Sequence, residues 1–153
     1  MTVIIDTHVP DFTAAATGGE ISLKGLRGRK VIIYFYPKDN TAGCTMESMA
    51  FRDAYTQFIE LNSEIIGVSR DSLRSHDSFK RKLGLPFPLL SDVEEKICNL
   101  FDVLKKKKLY GKEYMGIERS TFLIDTNGIL RKEWRCVKVA NHVDEVLSAI
   151  QAL

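Results

Sequence analysis

The sequence VIIYFYPKDNTAGCT, from Val31 to Thr45, contains the transition that decides the fold. The residues before Pro37 are continuously apolar, as in a central strand that is covered by helices on both faces. Proline ends such a strand, and a loop of small and polar residues then leads to Cys44. From about residue 41 to residue 61, apolar residues recur every three or four positions, which predicts an amphipathic helix. The stretch therefore predicts a strand, a loop and a helix, with a cysteine in the first helical turn.

Strands and helices alternate along the rest of the chain. The patterns predict an N-terminal hairpin around Gly18 and Gly19, strands at 64–69 and 88–91, and a helix at 72–83 that ends at Gly84. They further predict a helix at 92–104 capped by Asp92, a loop at 105–116, strands at 119–125 and 129–137 joined by a Thr-Asn-Gly turn, and a final helix that begins near Asn141. This order predicts an α/β fold, with a mixed central sheet flanked by helices and an N-terminal hairpin, as in thioredoxin-like proteins.

Composition limits the classes of function. The chain of 153 residues is 44% hydrophobic and 27% charged, which fits one globular domain over residues 1–153. Its net charge of +2 gives no reason to expect nucleic acid or a membrane as partner. No secretion signal or membrane span is recognisable, and three widely spaced cysteines favour a reducing compartment. We therefore expect a cytoplasmic protein.

Cys44 is the strongest candidate for a reactive group. With Thr41 as the N-cap, Cys44 is the third helical residue, where unpaired backbone N–H groups and the helix dipole favour a thiolate. Ala42 and Gly43 add little bulk in front of the sulfur, so we expect the thiol to be open to a substrate. A cysteine on an amphipathic helix usually only packs, but the polar loop before it favours reactivity.

Elimination narrows the chemistry of this thiol. No CxxC pair is present, the three histidines lack the spacing of metal ligands, and no phosphate-binding glycine motif occurs. What remains is attack of a thiolate on an electrophile, most simply a peroxide oxygen, which yields a sulfenic acid.

The motif Pro37-x-x-x-Thr41-x-x-Cys44 resembles the active-site signature of the peroxiredoxins. The strings YFYPKDNTAGCTMES, YGKEYMGIERSTFLID and WRCVKVANHVDEVL resemble the branch known as bacterioferritin comigratory protein or peroxiredoxin Q, and the resemblance covers nearly the whole chain. It implies that Cys44 is the peroxidatic nucleophile, that Thr41 hydrogen-bonds the peroxide, that Pro37 walls the pocket, and that Arg119 holds the thiolate and the substrate oxygen. Glu47 matches the family's CTxE pattern and is expected to support the first helical turn.

The resemblance leaves the recycling route open. Many members of this branch have a resolving cysteine five residues after the first, a position that Met49 occupies here. The sulfenic acid could be resolved by Cys98, by Cys136 or directly by an external thiol. We favour the one-cysteine route, with Cys98 as the possible resolving residue if that route fails.

The sequence thus predicts a monomeric thiol peroxidase that reduces hydrogen peroxide and organic hydroperoxides. Its reductant would be thioredoxin, glutaredoxin or a small thiol, and no metal, haem or flavin cofactor is implied. The alternatives are a peroxide sensor that relays oxidation to a partner protein and a thioredoxin-fold binding module with an inert cysteine. The lysines of 105–108 are typical of a solvated loop face, with attraction of an acidic reductase as the sharper hypothesis.

Overall fold

The computed structural model describes residues 2–153 and has a mixed sheet of seven strands at its centre. The strands are β1 (Thr13–Ala16), β2 (Gly19–Ser22), β3 (Lys30–Phe35), β4 (Ser63–Ser69), β5 (Leu89–Ser91), β6 (Leu104–Leu109), β7 (Lys112–Ile117), β8 (Ser120–Ile124) and β9 (Leu130–Trp134). The helices are α1 (Ala42–Glu60), α2 (Leu73–Leu83), α3 (Lys96–Leu100) and α4 (His142–Gln151), with a 3₁₀ turn at Lys24–Leu26. The α/β fold with its N-terminal hairpin is as predicted.

The strand order β2-β1-β5-β4-β3-β8-β9 brings three chain segments to one edge of the sheet. β3 runs parallel to β4 and antiparallel to β8, and β8 runs antiparallel to β9. The end of β3 at Phe35 therefore pairs with the start of β8 at Ser120, and Thr121 pairs with Trp134 near the end of β9. The loop before α1, the residue before β8 and the segment after β9 all lie at this edge, which we call the Pro37 edge.

The two faces of the sheet carry separate hydrophobic clusters. Along β3, Ile32 and Tyr34 face α1, α2 and α4, whereas Ile33 and Phe35 face α3 and the N-terminal segment. Because successive side chains of a strand point to opposite faces, an entirely apolar strand supplies both clusters at once. This double coverage confirms the prediction made from the apolar run.

Helix α1 has the bounds that its periodicity predicts. Its buried stripe follows the helical repeat and consists of Cys44, Glu47, Ser48, Phe51, Ala54 and Phe58. The two phenylalanines are fully buried, and each contributes on the order of 1.5–3 kcal/mol to holding the helix on the sheet. α2 is likewise as predicted, because the Ser72 hydroxyl accepts a hydrogen bond from the Ser75 N–H and Gly84 adopts the left-handed conformation at the C-terminus.

Two predictions about the region from 92 to 117 are wrong. The helix expected at 92–104 is only the short α3, because the Asp92 carboxylate accepts hydrogen bonds from the N–H groups of Ile97 and Cys98 and so caps a later start. The loop expected at 105–116 is a hairpin of β6 and β7, a separate two-stranded sheet. Lysine is depleted in strands, so a run of four lysines hid the strand from pattern reading. Within residues 2–153, no helix has the length and hydropathy needed to cross a bilayer.

Candidate active site

Cys44 lies at the Pro37 edge as the third residue of α1. Thr41 has the extended backbone of an N-cap residue, and its carbonyl accepts the first helical hydrogen bond from the Thr45 N–H, 2.9 Å away. The predicted position in the helix is thus confirmed. The predicted openness is wrong, because Cys44 is only 1% exposed. The third helical position falls on the buried stripe of α1, so the sulfur faces the sheet rather than the solvent.

The guanidinium of Arg119 connects Cys44 to a buried carboxylate. Arg119 precedes β8, and its Nη2 lies 3.4 Å from Cys44 Sγ. Its Nη1 donates to Glu47 Oε1 at 2.7 Å. A single planar group therefore holds two side chains that are three residues apart on α1. The structure brings together the two residues, Cys44 and Arg119, that the sequence placed in one site from 75 positions apart.

Glu47 has a larger place in this site than the sequence suggested. Its side chain is fully buried, and Oε2 has no hydrogen-bond partner among residues 2–153. Burial raises the pKa of Glu47 to about 7, although the charge and hydrogen bonding of Arg119 act in the opposite direction. The CTxE pattern pointed to this residue, but its expected role was only to support the first helical turn. Burial next to Arg119 makes it a group that changes charge near neutral pH.

Gly43 allows the guanidinium to approach the helix. A Cβ atom at this position would lie 3.1 Å from Arg119 Nη2, closer than ordinary van der Waals contact. A side chain at this position would therefore push the guanidinium a few tenths of an ångström from its observed place. The sequence suggested that Gly43 gives the substrate access, whereas the structure shows that it gives room to Arg119.

Thr41 and Pro37 lie in the loop that precedes the helix. The Thr41 hydroxyl is exposed and donates to the Lys38 carbonyl at 2.8 Å, which fixes its proton and leaves its lone pairs free to accept. It makes no side-chain capping bond to the helix. The first N–H groups of α1 therefore have no acceptor from their cap residue and are available to a bound anion. Pro37 is half-buried at the end of β3.

A buried polar cluster anchors the same loop, and the sequence analysis missed it. The Asp39 carboxylate accepts from Tyr36 Oη at 2.6 Å and lies 2.8 Å from His76 Nδ1, while its backbone N–H donates to Asp71 at 2.9 Å. Contact with His76 and Tyr36 lowers the pKa of Asp39, outweighing the opposing effect of burial. The ligand atoms of Asp39, Asp71 and His76 lie within 4.8 Å of one another, although the histidines are widely spaced in sequence. Hydrogen bonds within the cluster account for this grouping, and they fasten the loop to α2.

A second buried histidine supports the strand that carries Arg119. His142 Nε2 lies 2.7 Å from Thr121 Oγ1 on β8, and the imidazole meets the edge of the Trp134 ring. Burial and the nearby charge of Arg119 lower the pKa of His142 to about 4. A neutral imidazole therefore fills the space behind the arginine at neutral pH.

The other two cysteines occupy different surroundings. Cys98 is fully buried and packs in the cluster on the opposite face of the sheet from Cys44. Burial raises the pKa of the Cys98 thiol, and the neighbouring Asp92 carboxylate raises it further. Cys136 is exposed and follows β9 at the Pro37 edge, where the adjacent Glu118 raises the pKa of its thiol. All three cysteines are free thiols in the structure.

Comparisons with known proteins show which proteins the chain resembles in sequence and fold. The model of the AhpC/TSA family matches residues 5–133. Peroxiredoxin Bcp of Bacillus subtilis is 52% identical over 152 residues, which cover 99% of this chain and 97% of that protein. A peroxiredoxin Q of Xanthomonas campestris superposes with a TM-score of 0.88 at 47% identity, over 92% of this chain and 90% of that one. A cysteine-to-serine mutant of Xylella fastidiosa PrxQ superposes with a TM-score of 0.93 at 39% identity, over 99% of this chain and 98% of that one.

Proposed function

Because the chain belongs to the AhpC/TSA family and is a thiol-dependent peroxidase, we propose that Cys44 is the residue that attacks the hydroperoxide and that Arg119 stabilises the charge in that attack. The contact of 3.4 Å between Arg119 Nη2 and Cys44 Sγ, in the first turn of α1, carries the proposal. A related structure from Xanthomonas campestris is described in terms of alkyl peroxide reduction activity, which supports organic hydroperoxides as substrates.

The proposed first step breaks the O–O bond of the substrate. The Cys44 thiolate forms a bond to the peroxide oxygen that carries hydrogen, and the electron pair of the O–O bond moves to the other oxygen. That oxygen takes up the proton that the thiol released on ionisation and leaves as water or alcohol. Cys44 is oxidised to a sulfenic acid and the peroxide is reduced. Negative charge moves from sulfur to the leaving oxygen, so donors that reach both atoms stabilise the transition state more than the ground state.

Three further groups support this step. The N–H groups of the first turn of α1 face the region of developing negative charge. Thr41, whose proton is held by the Lys38 carbonyl, would accept a hydrogen bond from the peroxide. Pro37 would wall the pocket at the end of β3. The burial of Cys44 favours a substrate as small as a hydroperoxide over one that must bring bulk to the sulfur.

We further propose that an external thiol reduces the sulfenic acid. Met49 occupies the position of a nearby resolving cysteine, and the sheet separates Cys98 from Cys44. A first thiol would form a mixed disulfide with Cys44 and release water, and a second thiol would then restore the Cys44 thiol and leave as a disulfide. Thioredoxin, glutaredoxin or a small thiol would serve. Three free cysteines fit the reducing conditions of a cytoplasm. We also predict that the protein is a monomer and that residues 1–153 form a single domain.

Mass spectrometry after one equivalent of hydrogen peroxide tests the proposal. We expect a sulfenic acid on Cys44, trapped by dimedone, and no intramolecular crosslink. Cys44→Ser should abolish peroxide turnover, while the matched control Cys136→Ser should leave it within about twofold. Turnover that survives Cys44→Ser would reject the assignment, and a Cys44 to Cys98 crosslink would reject the one-cysteine route alone. Steady-state turnover with a reductant also separates a peroxidase from a sensor that needs a specific client protein.

A further inference from the structure

The β6–β7 hairpin concentrates positive charge in one place. The hairpin contains five lysines and one acidic residue, Glu113, so it has a net charge of +4. The whole chain has a net charge of +2, and the remaining residues therefore sum to −2. Although the whole chain is nearly neutral, the hairpin therefore has a strong positive electrostatic field. Such a field accelerates the encounter with a partner of opposite charge.

The same hairpin exposes apolar side chains. Leu109, Tyr110, Tyr114 and Met115 are between 46% and 96% exposed, and Tyr110 at the tip is the most exposed of them. The hairpin is a sheet of its own and does not pair with the seven-stranded sheet. Exposure of these apolar side chains to water is unfavourable. Apolar patches with a charged border commonly mark interaction sites.

Two of the lysines are available for a partner. Lys105 pairs with Asp102, Lys106 pairs with Glu113, and Lys107 donates to the Ile117 carbonyl. Lys108 and Lys112 form no ion pair with any part of the chain from 2 to 153. They flank the exposed tip at Leu109 and Tyr110, so the free charge and the apolar surface coincide.

The base of the hairpin adjoins the Pro37 edge. β7 ends at Ile117, Glu118 follows, and Arg119 contacts Cys44 directly. The Arg119 carbonyl accepts from the Val137 N–H at 2.9 Å, which holds the segment with Cys136 beside it. A protein that reaches oxidised Cys44 from this edge therefore approaches beside the base of the hairpin.

We propose that the β6–β7 hairpin is the docking surface for an acidic dithiol protein that reduces oxidised Cys44. This inference rests on the proposed function, since it names the class of reductant for the same site. The lysines at 108 and 112 would meet carboxylates of the partner, and the tip at Leu109 and Tyr110 would pack against an apolar rim around the partner's dithiol. Charge and apolar area together favour a folded protein over a small thiol, which needs neither. A nucleic acid is a less suitable partner for this surface, because the carboxylates of Glu113 and Asp102 lie among the lysines and would repel phosphates. The hairpin also contains no arginine.

Docking would also serve the geometry of the reaction. Because Cys44 is 1% exposed, the first turn of α1 must open before a dithiol reaches the sulfur. A partner held at the hairpin stays near the site while that opening occurs, which raises its effective concentration there. The first of its thiols then attacks the Cys44 sulfenic acid and forms a mixed disulfide with loss of water. The second thiol attacks the partner's own sulfur in that disulfide, which releases the Cys44 thiol and leaves the partner oxidised to a disulfide.

Reductive turnover with two reductants tests the proposal. The probe is an acidic bacterial thioredoxin, and dithiothreitol is the uncharged comparison. For Lys108→Glu/Lys112→Glu, we expect kcat/KM for thioredoxin to fall at least about fivefold at low salt, with a weaker dependence on ionic strength. Turnover with dithiothreitol should stay within about twofold. Lys24→Glu/Lys82→Glu changes net charge equally at exposed sites outside the hairpin and should behave as the wild type.

A second variant and a footprint test the apolar part. Tyr110→Ser should raise KM for thioredoxin severalfold and leave its salt dependence unchanged. The thiol of Cys136 is exposed and can be labelled with a maleimide. A thioredoxin whose two active-site cysteines are replaced by serine cannot react with the label there, and its binding should slow the labelling of Cys136.

The contrary outcomes are distinct. If both lysine pairs have the same effect on thioredoxin turnover, or if dithiothreitol turnover falls equally, the docking surface is rejected. It is also rejected if glutathione but not thioredoxin supports turnover, or if the chain binds anionic vesicles while the hairpin variants keep normal thioredoxin kinetics. Each of these results leaves Cys44 as the peroxidatic residue. Only turnover that survives Cys44→Ser would overturn the function itself.

Discussion

Replacing Arg119 with lysine would separate the charge of the guanidinium from its shape. Two nitrogens of one planar group contact two partners, with Nη2 at 3.4 Å from Cys44 Sγ and Nη1 at 2.7 Å from Glu47 Oε1. Lysine keeps the positive charge but has a single ammonium group, which cannot span both partners. The buried carboxylate is the stronger acceptor, so we expect the ammonium to pair with Glu47 and leave the sulfur.

The size of the effect follows from the lost contact. A hydrogen bond that involves a charged group contributes about 1.5–3 kcal/mol. Its loss from the transition state would slow peroxide attack by about 10- to 150-fold at constant charge. Stopped-flow measurement of the second-order rate constant with hydrogen peroxide, followed through the single tryptophan Trp134, gives this number directly. Quenched samples analysed for sulfenic acid check that the signal reports oxidation of Cys44.

The control is a second arginine near the same edge. Arg135 donates to the carbonyls of Phe101 and Asp102 and does not contact the sulfur, so Arg135→Lys should keep the rate within about twofold. Adding Glu47→Gln to Arg119→Lys removes the competing carboxylate and should recover part of the lost rate. A rate constant for Arg119→Lys within twofold of the wild type, or no recovery in the double variant, would refute the reasoning.

Three further predictions concern the groups around this arginine. Since burial raises the pKa of Glu47 to about 7, its carboxyl ionises as pH rises through neutrality and partly cancels the charge of Arg119. The ratio of the peroxide-attack rate of Glu47→Gln to that of the wild type should therefore rise between about pH 6 and 8. A constant ratio would contradict this. The pKa of His142 is lowered to about 4, so the contribution of the neutral imidazole to the free energy of unfolding is present above about pH 6.5 and is lost as pH falls toward 4. Over that range, urea titrations should show the free energies of unfolding of the wild type and His142→Gln converging by up to about 3 kcal/mol. Gly43→Ala should displace Arg119 and slow peroxide attack about tenfold while the Tm changes by only a few degrees, and an unchanged rate would show that the guanidinium can move freely.

The order of elements could be predicted because each depends on a local pattern. The apolar run before Pro37, the helical repeat of α1, and the Ser72 and Gly84 caps of α2 are written in short stretches of sequence. The hairpin of β6 and β7 could not be predicted in this way, because cross-strand pairing rather than propensity stabilises it. The short α3 was also missed, since Asp92 caps across several residues instead of at the first turn.

The candidate site divides along the same line. The thiol in the first turn of α1 could be named from its local pattern, whereas its distant arginine could be named only from the resemblance to the family. The fold brings the two within 3.4 Å. The full burial of Glu47, the close approach at Gly43, and the cluster around Asp39 and His76 depend on which groups the folded chain surrounds.

The sequence by itself determined that a strand ends at Pro37, that a helix begins with Cys44 in its first turn, and that no second cysteine lies within reach along that helix. Only the tertiary structure decided that the sheet separates Cys98 from Cys44 and that Glu47 and the Cys44 sulfur contact the same arginine. It also decided that the lysine-rich hairpin adjoins the Pro37 edge. The physical reason is that helix starts and strand ends follow from neighbouring residues. Burial, desolvation and ion pairing are set by distant segments, such as those of Cys44 and Arg119, which lie 75 positions apart and meet only when the strands pair.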